Sequence, residues 1–438
     1  MRRLTTTALV LILFHALPGA QQSPLPAFPG AEGFGSTTPG GRGGRVLFVT
    51  NTGDSGPGSF REACMAKGPR IIVFRTAGLI TLRTPIRITE PYATIAGQSA
   101  PGDGICLRGQ EFKVHTHDVI VRFLRSRPGD IANEEVDAMG AGNGAHNVIF
   151  DHCSATWSVD EALSPSGDLG DLTVQWSLIG EALNKSVHKK GEHGYGSLVR
   201  ATGGVTLHHN LWVHNIARNP RLGDNYGKPP FPTFDVRNNV IYDYRDICSG
   251  MTGDDLSANY VNNYIRPGPN SNTKRAIIVL TDTAHVRYCV KGNVVEGRDA
   301  LTSDNGLLFS HKDRVTLQSE LFPVPPVVTT TAPQALDAVL NSVGAIRPVR
   351  DAVDSRIIQE VRDRTGRILN SQREVGEWPV YRDGPVPKDS DEDGIPDDWE
   401  KAHGLNPADN TDAAKSKSAG GYTWIEEYLN SLAVPPMK

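Results

Sequence analysis

The chain carries no surplus of positive charge. Its 438 residues include 45 Lys and Arg against 49 Asp and Glu, a formal net charge of −4, so nothing marks a surface for nucleic acid or an anionic membrane. Long apolar runs are scarce as well. The one that stands out, Ala8 to Leu17, is too short to span a bilayer. Cysteine offers no framework: Cys64, Cys106, Cys153, Cys248 and Cys289 are odd in number, widely spaced and free of any CxxC pair. A disulfide and buried free thiols therefore both stay open. One absence is local. The stretch "HNIARNPRLG" sets Arg218 and Arg221 around a proline with no Asp or Glu among its residues, which points to carboxylates supplied by an acidic ligand.

What is abundant is glycine and proline, 45 and 30 residues, a composition of short strands and turns rather than long helices. The length suits one large domain plus a smaller module. At the N-terminus, Arg2 and Arg3 precede the Ala8–Leu17 run, and the small residues Gly19 and Ala20 follow it. This pattern predicts a secretory signal over residues 1–20 with cleavage after Ala20. The expected destination is extracellular, a periplasmic one included.

A single phrase recurs through the middle of the chain: a β-branched run followed by a polar pair that often contains Asn. Examples are "HNVIFDHCSATW", "GGVTLHHNLWVHN", "FDVRNNVIYDY" and "SANYVNNYI". Equivalent apolar positions fall at Val148, Leu172, Val205, Val236 and Tyr260. An irregular period in the twenties to thirties, punctuated by Gly and Asn, predicts a solenoid of stacked parallel strands. The competing fold is a β-sandwich, which the paired asparagines suit less well. After the repeats, Leu336, Val339, Leu340 and Val343 share helical spacing, as do Val353, Ile357 and Val361. Both segments are expected to lie as amphipathic helices against the solenoid. The predicted division is a signal over 1–20, a β-helix over 21–345, a helical segment and linker over 346–385, and a small module over 386–438.

Two sets of charges carry chemistry. Asp137, Asp151, Asp160 and Glu161 fall on and around one predicted strand, so stacked coils can gather them. Converging carboxylates repel unless a cation lies between them, and oxygen donors favour Ca²⁺. The loop "NKSVHKKGEHGYGSL" adds Lys185, Lys189 and Lys190 one coil before Arg218 and Arg221. Cations beside a Ca²⁺ site make sense when an anion binds across both. Solvated loop acids and a solvated basic edge are the alternatives.

In chain order, "FPGAEGFG", "IAGQSAPGDGI", "VIFDH", the lysine loop and "HNIARNPRLG" resemble the pectate lyase family of right-handed parallel β-helix proteins, over about residues 27 to 345. The resemblance implies an all-β fold and Ca²⁺-dependent β-elimination of polygalacturonate, an acidic polysaccharide, by a monomer. It places the Ca²⁺ acids at Asp137 and Asp160. A further family acid falls on Ser164, for which Glu161 is the substitute. The family lysine matches Lys190, with Lys189 as the other register. Proton abstraction is carried to Arg218, a demanding role for a group whose pKa lies above about 12. The family's last arginine falls on Gly223, leaving Arg221 to replace it. Lys189, Arg221 and His193 are the expected substrate contacts. Three other readings remain: a Ca²⁺-independent pectin lyase, a β-helix glycosidase using the Asp pair, and a non-catalytic polysaccharide binder.

Near the C-terminus, "DSDEDGIPDDWE" fits D-x-D-x-D-G-x5-E at every required position. Asp389, Asp391, Asp393, the Ile395 carbonyl, Asp397 and Glu400 are the expected Ca²⁺ ligands, with Gly394 at the sharp turn. With no helix evident ahead of it, the loop resembles dockerin-like or thrombospondin-type calcium loops. In "SKSAGGYTWIEE" the corresponding first acids are Ser416, Ser418 and Gly420, so one working loop is expected rather than two.

Overall fold

The structure is a computed structural model that describes residues 24–252 and 255–433. The predicted export signal lies outside the described residues. Among those residues, strands pair in parallel with their equivalents one coil away. They form an eleven-stranded sheet from Arg45–Val49 to Val315–Leu317 and a nine-stranded sheet from Gly78–Thr81 to Val294–Val295. A third face begins as the four strands Ile86–Ile88, Phe112–Val114, Met139–Ala141 and Leu163–Pro165. The pairs Leu198–Ala201 with Arg221–Asp224, and Ser249–Thr252 with Ile278–Leu280, continue it. This is the expected parallel β-helix.

The interior is filled by alternate residues of each strand. Val148 and Phe150 stack on Leu172 and Val174, then on Val205 and Leu207, all fully or almost fully buried. The next step corrects the sequence reading. Val205 pairs with Phe234, and Val236 belongs opposite Leu207. A slip of two residues keeps the same face inward, so hydrophobic pattern alone does not detect it. The polar pairs close the turns. In "RNN" and "VNN" the first residue, Asn238 or Asn262, adopts positive φ of 54° or 51°. The second joins a buried ladder in which Asn210 donates to Asn239, Asn239 to Asn263, Asn263 to Asn293 and Asn293 to Asn305, side chain to side chain at 2.9–3.1 Å.

Among the described residues, other segments of the chain pack on two of the outer faces. The glycine-rich N-terminal segment crosses the eleven-stranded sheet, where Gly35 and Gly41 donate backbone N–H groups to the outward hydroxyls of Thr173 and Thr94, each at 2.9 Å. A Cβ at Gly35 would collide with the Val148 carbonyl, which accounts for glycine in "EGFG". Helices Ala332–Ser342 and Ala352–Asp363 bury Leu336, Val339, Leu340 and Ile357 against Leu211, Val213 and Val240 of the nine-stranded sheet, as their spacing predicts. The five cysteines are buried and unpaired. No helix among the described residues is long and apolar enough to cross a membrane.

Candidate active site

The third face carries the charges. Four successive coils bring its residues into register through backbone bonds: Ala138 N–H to Glu161 O, Ala162 N–H to Tyr195 O, and Gly196 N–H to Ala217 O, at 3.0–3.1 Å. Residues 23, 33 and 21 apart in sequence thereby become neighbours. Asp137, Asp160 and Glu161 meet with carboxylate oxygens within 4.8 Å of one another. Each acid also meets a basic side chain. Lys113, on the coil before, binds Asp137 at 2.8 Å and Glu111 at 3.0 Å. His193 Nε2 lies 2.7 Å from Asp160. Arg218 pairs with Glu161 and stacks over the Tyr195 ring at 4.0 Å.

The electrostatics follow from crowding. Burial, reinforced by Asp137 and Asp160, pushes the Glu161 carboxyl well above its ordinary range despite Arg218. Asp137 is raised by burial against the pull of Lys113. Burial opposes ionisation of Asp160 too, but its hydrogen bond to His193 wins and holds it low. Three carboxylates with no sulfur donor fit a hard cation such as Ca²⁺.

Two expectations require correction. Arg218 does not wait for an external carboxylate, because Glu161 from two coils earlier supplies one; the stretch around it lacks acids only in sequence. His193 is buried and turned to Asp160 rather than exposed, and with that acid and His188 it forms a further group of possible metal donors. Its ring stacks on His188 at 3.7 Å, and His188 Nε2 lies 3.8 Å from Asp160. Lys189 and Lys190 are both exposed, and the backbone fixes their loop: Lys189 N–H donates to Glu135 at 2.8 Å and Lys190 N–H to His188 at 3.0 Å. Ser164 sits on the third face, its hydroxyl accepting from Leu198 N–H at 2.8 Å. At Gly223 the missing side chain leaves room for Arg200, whose guanidinium would lie 3.1 Å from a Cβ there. Arg200 is therefore a guanidinium at the position the sequence reads as glycine. Arg221 begins the same strand, opposite Leu198.

The acid in "IFDH" plays another part. Asp151 faces outward on the eleven-stranded sheet, bound by Arg122 at 2.8 Å, Gln175 at 2.8 Å and His152 at 2.7 Å. It braces the fold away from the cluster. At the C-terminus, Asp389, Asp391 and Asp393 converge, and Asp393 also groups with Glu400 and Asp412. Asp397 does not join them. Its carboxylate accepts from Lys388 at 2.7 Å and from Ser390 at 2.8–2.9 Å. Ile395 lies in the loop with its N–H on Asp393 at 2.8 Å. Sequence reasoning missed Lys113, Glu111, His188, Arg200 and Asp412. Asp412 falls outside the loop motif, and the others acquire meaning only once coils are stacked.

No family model matches the chain. A relative named probable pectate lyase C, from Aspergillus flavus, is 35% identical over 421 residues, covering 94% of each chain. The chain belongs to the pectate lyase family. Two solved pectate lyases share the fold: one bound to a hexasaccharide, with a TM-score of 0.54 at 14% identity over 74% of this chain and 99% of that one. The other, from Bacillus sp. N165 in complex with trigalacturonate, gives 0.51 at 14% identity over 72% and 98%. Family membership rests on the sequence relative, and the two structures speak for the β-helix.

Proposed function

We propose that this chain is a secreted pectate lyase that cleaves α-1,4-polygalacturonate by Ca²⁺-dependent β-elimination, leaving 4,5-unsaturated oligogalacturonates. The convergence of Asp137, Asp160 and Glu161 beside Arg218 on the third face carries this reading. These acids lie too close together for an inverting glycosidase, which keeps its carboxyls about 6.5–9.5 Å apart. A pectin lyase acting on neutral esters has no use for them.

Asp137, Asp160 and Glu161 would hold the cation. When bound, Ca²⁺ supplies positive charge opposite the substrate's C6 carboxylate, acidifying the C5 hydrogen beside it and stabilising the charge left on proton loss. Exposed Lys189 and Lys190, with Arg221, bind and orient the galacturonate carboxylates. Arg218 accepts the C5 proton. Its guanidinium must first leave Glu161, since an adjacent carboxylate favours the charged form that cannot take a proton. As the C5–H bond breaks, a C4–C5 double bond forms and the C4 oxygen departs with the rest of the chain, completed by a proton from water. Tyr195 supports the arginine from its ring face throughout.

The loop Asp389–Glu400 is read as a second, dockerin-like or thrombospondin-type calcium loop within a C-terminal module over residues 386–438. The deciding experiment supplies purified protein with de-esterified polygalacturonate and follows ultraviolet absorbance of the unsaturated product. Absorbance rising with Ca²⁺, abolished by chelator and restored by added Ca²⁺, is expected. Reducing ends without absorbance would make it a hydrolase, and full activity in chelator on methylated substrate a pectin lyase.

A further inference from the structure

Beneath the C-terminal helices lies a second acidic cluster that the active site does not use. Asp389, Asp391 and Asp393 form one group of oxygens within 4.8 Å, and Asp393, Glu400 and Asp412 another. Glu400 is 0% exposed, and Asp393 and Asp412 are each 5% exposed. Among the described residues, both oxygens of Asp391, both of Glu400, Oδ2 of Asp393 and Oδ1 of Asp412 have no hydrogen-bond partner. Buried carboxylate oxygens without partners are strongly unfavourable unless a cation takes them. The other oxygen of Asp412 is held by Asn406 N–H at 3.1 Å, leaving Oδ1 in the group. Neither group contains a His or Cys, so the donor set suits a hard, many-coordinate ion.

We infer that Ca²⁺ held by Asp389, Asp391, Asp393, Glu400 and Asp412 staples the C-terminal segment onto the outer face of the first coils. Residues 389–400 are taken as the calcium loop proposed above; the fifth acid and the docking role are what the geometry adds. Three contacts tie the loop to the solenoid. Arg75, which follows the strand Arg70–Phe74, binds Asp389 at 2.7 Å while its guanidinium lies 3.4 Å over the Phe48 ring. Gly394, at φ 97°, presses so close that a Cβ would sit 2.9 Å from Val46 and 3.1 Å from Ile425. Ile395, next to it, is fully buried in a cluster with Ile71 and Val73 from the coil and Ile425 and Leu429 from helix Trp424–Ala433. The same turn thus presents acids to the cation on one side and an apolar plug to the sheet on the other. Five like charges here work against the docking until a cation joins them, so binding and docking are linked. Asp397 is excluded from the ligand set because it converges with neither group; it fastens the start of the loop through Ser390 and Lys388.

The test follows hydrogen exchange of the whole protein, peptide by peptide, in Ca²⁺ and in chelator. In wild type, Ca²⁺ is expected to protect residues 389–412 and the helix Trp424–Ala433 together. Asp391→Asn and Asp412→Asn should each raise the Ca²⁺ needed for that protection at least ~10-fold, and Asp397→Asn by less than ~3-fold. Protection lost in Asp391→Asn but unchanged in Asp412→Asn overturns the fifth ligand and leaves the loop reading standing. Protection of 389–412 with the terminal helix indifferent to Ca²⁺ overturns the docking. No response to Ca²⁺ in either segment of the wild type overturns loop and staple alike, and that comparison requires no variant to fold.

Discussion

Glu161 is the residue on which the active site turns, because it belongs to the acid cluster and to Arg218 at once. A cation held by the cluster would compete with Arg218 for that carboxylate, and under the proposed mechanism it would free the guanidinium. Arg218 and Arg221 then predict different kinetics. Arg218→Lys keeps a positive charge but changes its reach, so kcat should fall by about 10²-fold or more while KM shifts little. Arg221→Ala removes a carboxylate contact present in ground and transition states, so KM should rise more than kcat falls. Steady-state rates of unsaturated-product formation decide this; near-normal turnover in Arg218→Ala with an intact circular dichroism spectrum would eliminate it as the base. At this scale the sequence showed Asp137, Asp160 and Arg218, each within a motif. Lys113 was not legible: nothing in "QEFKVHTHD" marks it, and its role comes from lying one coil before Asp137. The pairing of Arg218 was hidden for the same reason, its acid lying 57 residues away.

At the scale of the element, the solenoid was readable because each coil repeats the same solution. The second asparagine of each polar pair was visible as a composition, and the structure shows what it does. Asn239 accepts from the backbone and side-chain N–H groups of Asn210 at 2.9 and 3.1 Å, and donates to Leu207 O and Asn263 at 2.8 and 3.0 Å. All of these partners are buried. Asn239→Ala strands donors and acceptors inside the turn, at about 1 kcal/mol for each lost bond and more for groups left unsatisfied. A loss of roughly 3–5 kcal/mol in urea unfolding is expected; a change below about 1 kcal/mol would mean that the ladder is decoration. The register between Val205 and Phe234 was not legible. Period-two patterning constrains which face is buried but not which of two inward residues pairs, and only the loop lengths between coils settle it.

Across the whole molecule, the chain after the repeats folds back to clothe the solenoid, and its charges are part of the attachment. His214, buried on the nine-stranded side, lies 2.7 Å from Asp243 and 3.4 Å from Glu360 on helix Ala352–Asp363. Glu181 adds its charge nearby, itself paired with Arg356 of that helix at 2.6 Å. Burial alone would lower the histidine pKa, but bonds to Asp243 and Glu360 carry it up to about 9. A pKa raised on folding contributes its full stability below the unfolded value of about 6.5 and loses it as pH climbs through the folded value. The attachment of the helical segment should therefore hold from mildly acid to neutral pH and weaken between about pH 7 and pH 10, by on the order of 3 kcal/mol. Lysines and tyrosines titrate in the same window, so the informative quantity is a difference. Urea midpoints of wild type should fall across that range more steeply than those of His214→Gln, whose amide keeps a hydrogen bond to Asp243 but carries no proton to lose. Equal alkaline slopes in the two proteins would show that His214 is not charged in the fold and adds no proton-linked part to the attachment of the helices.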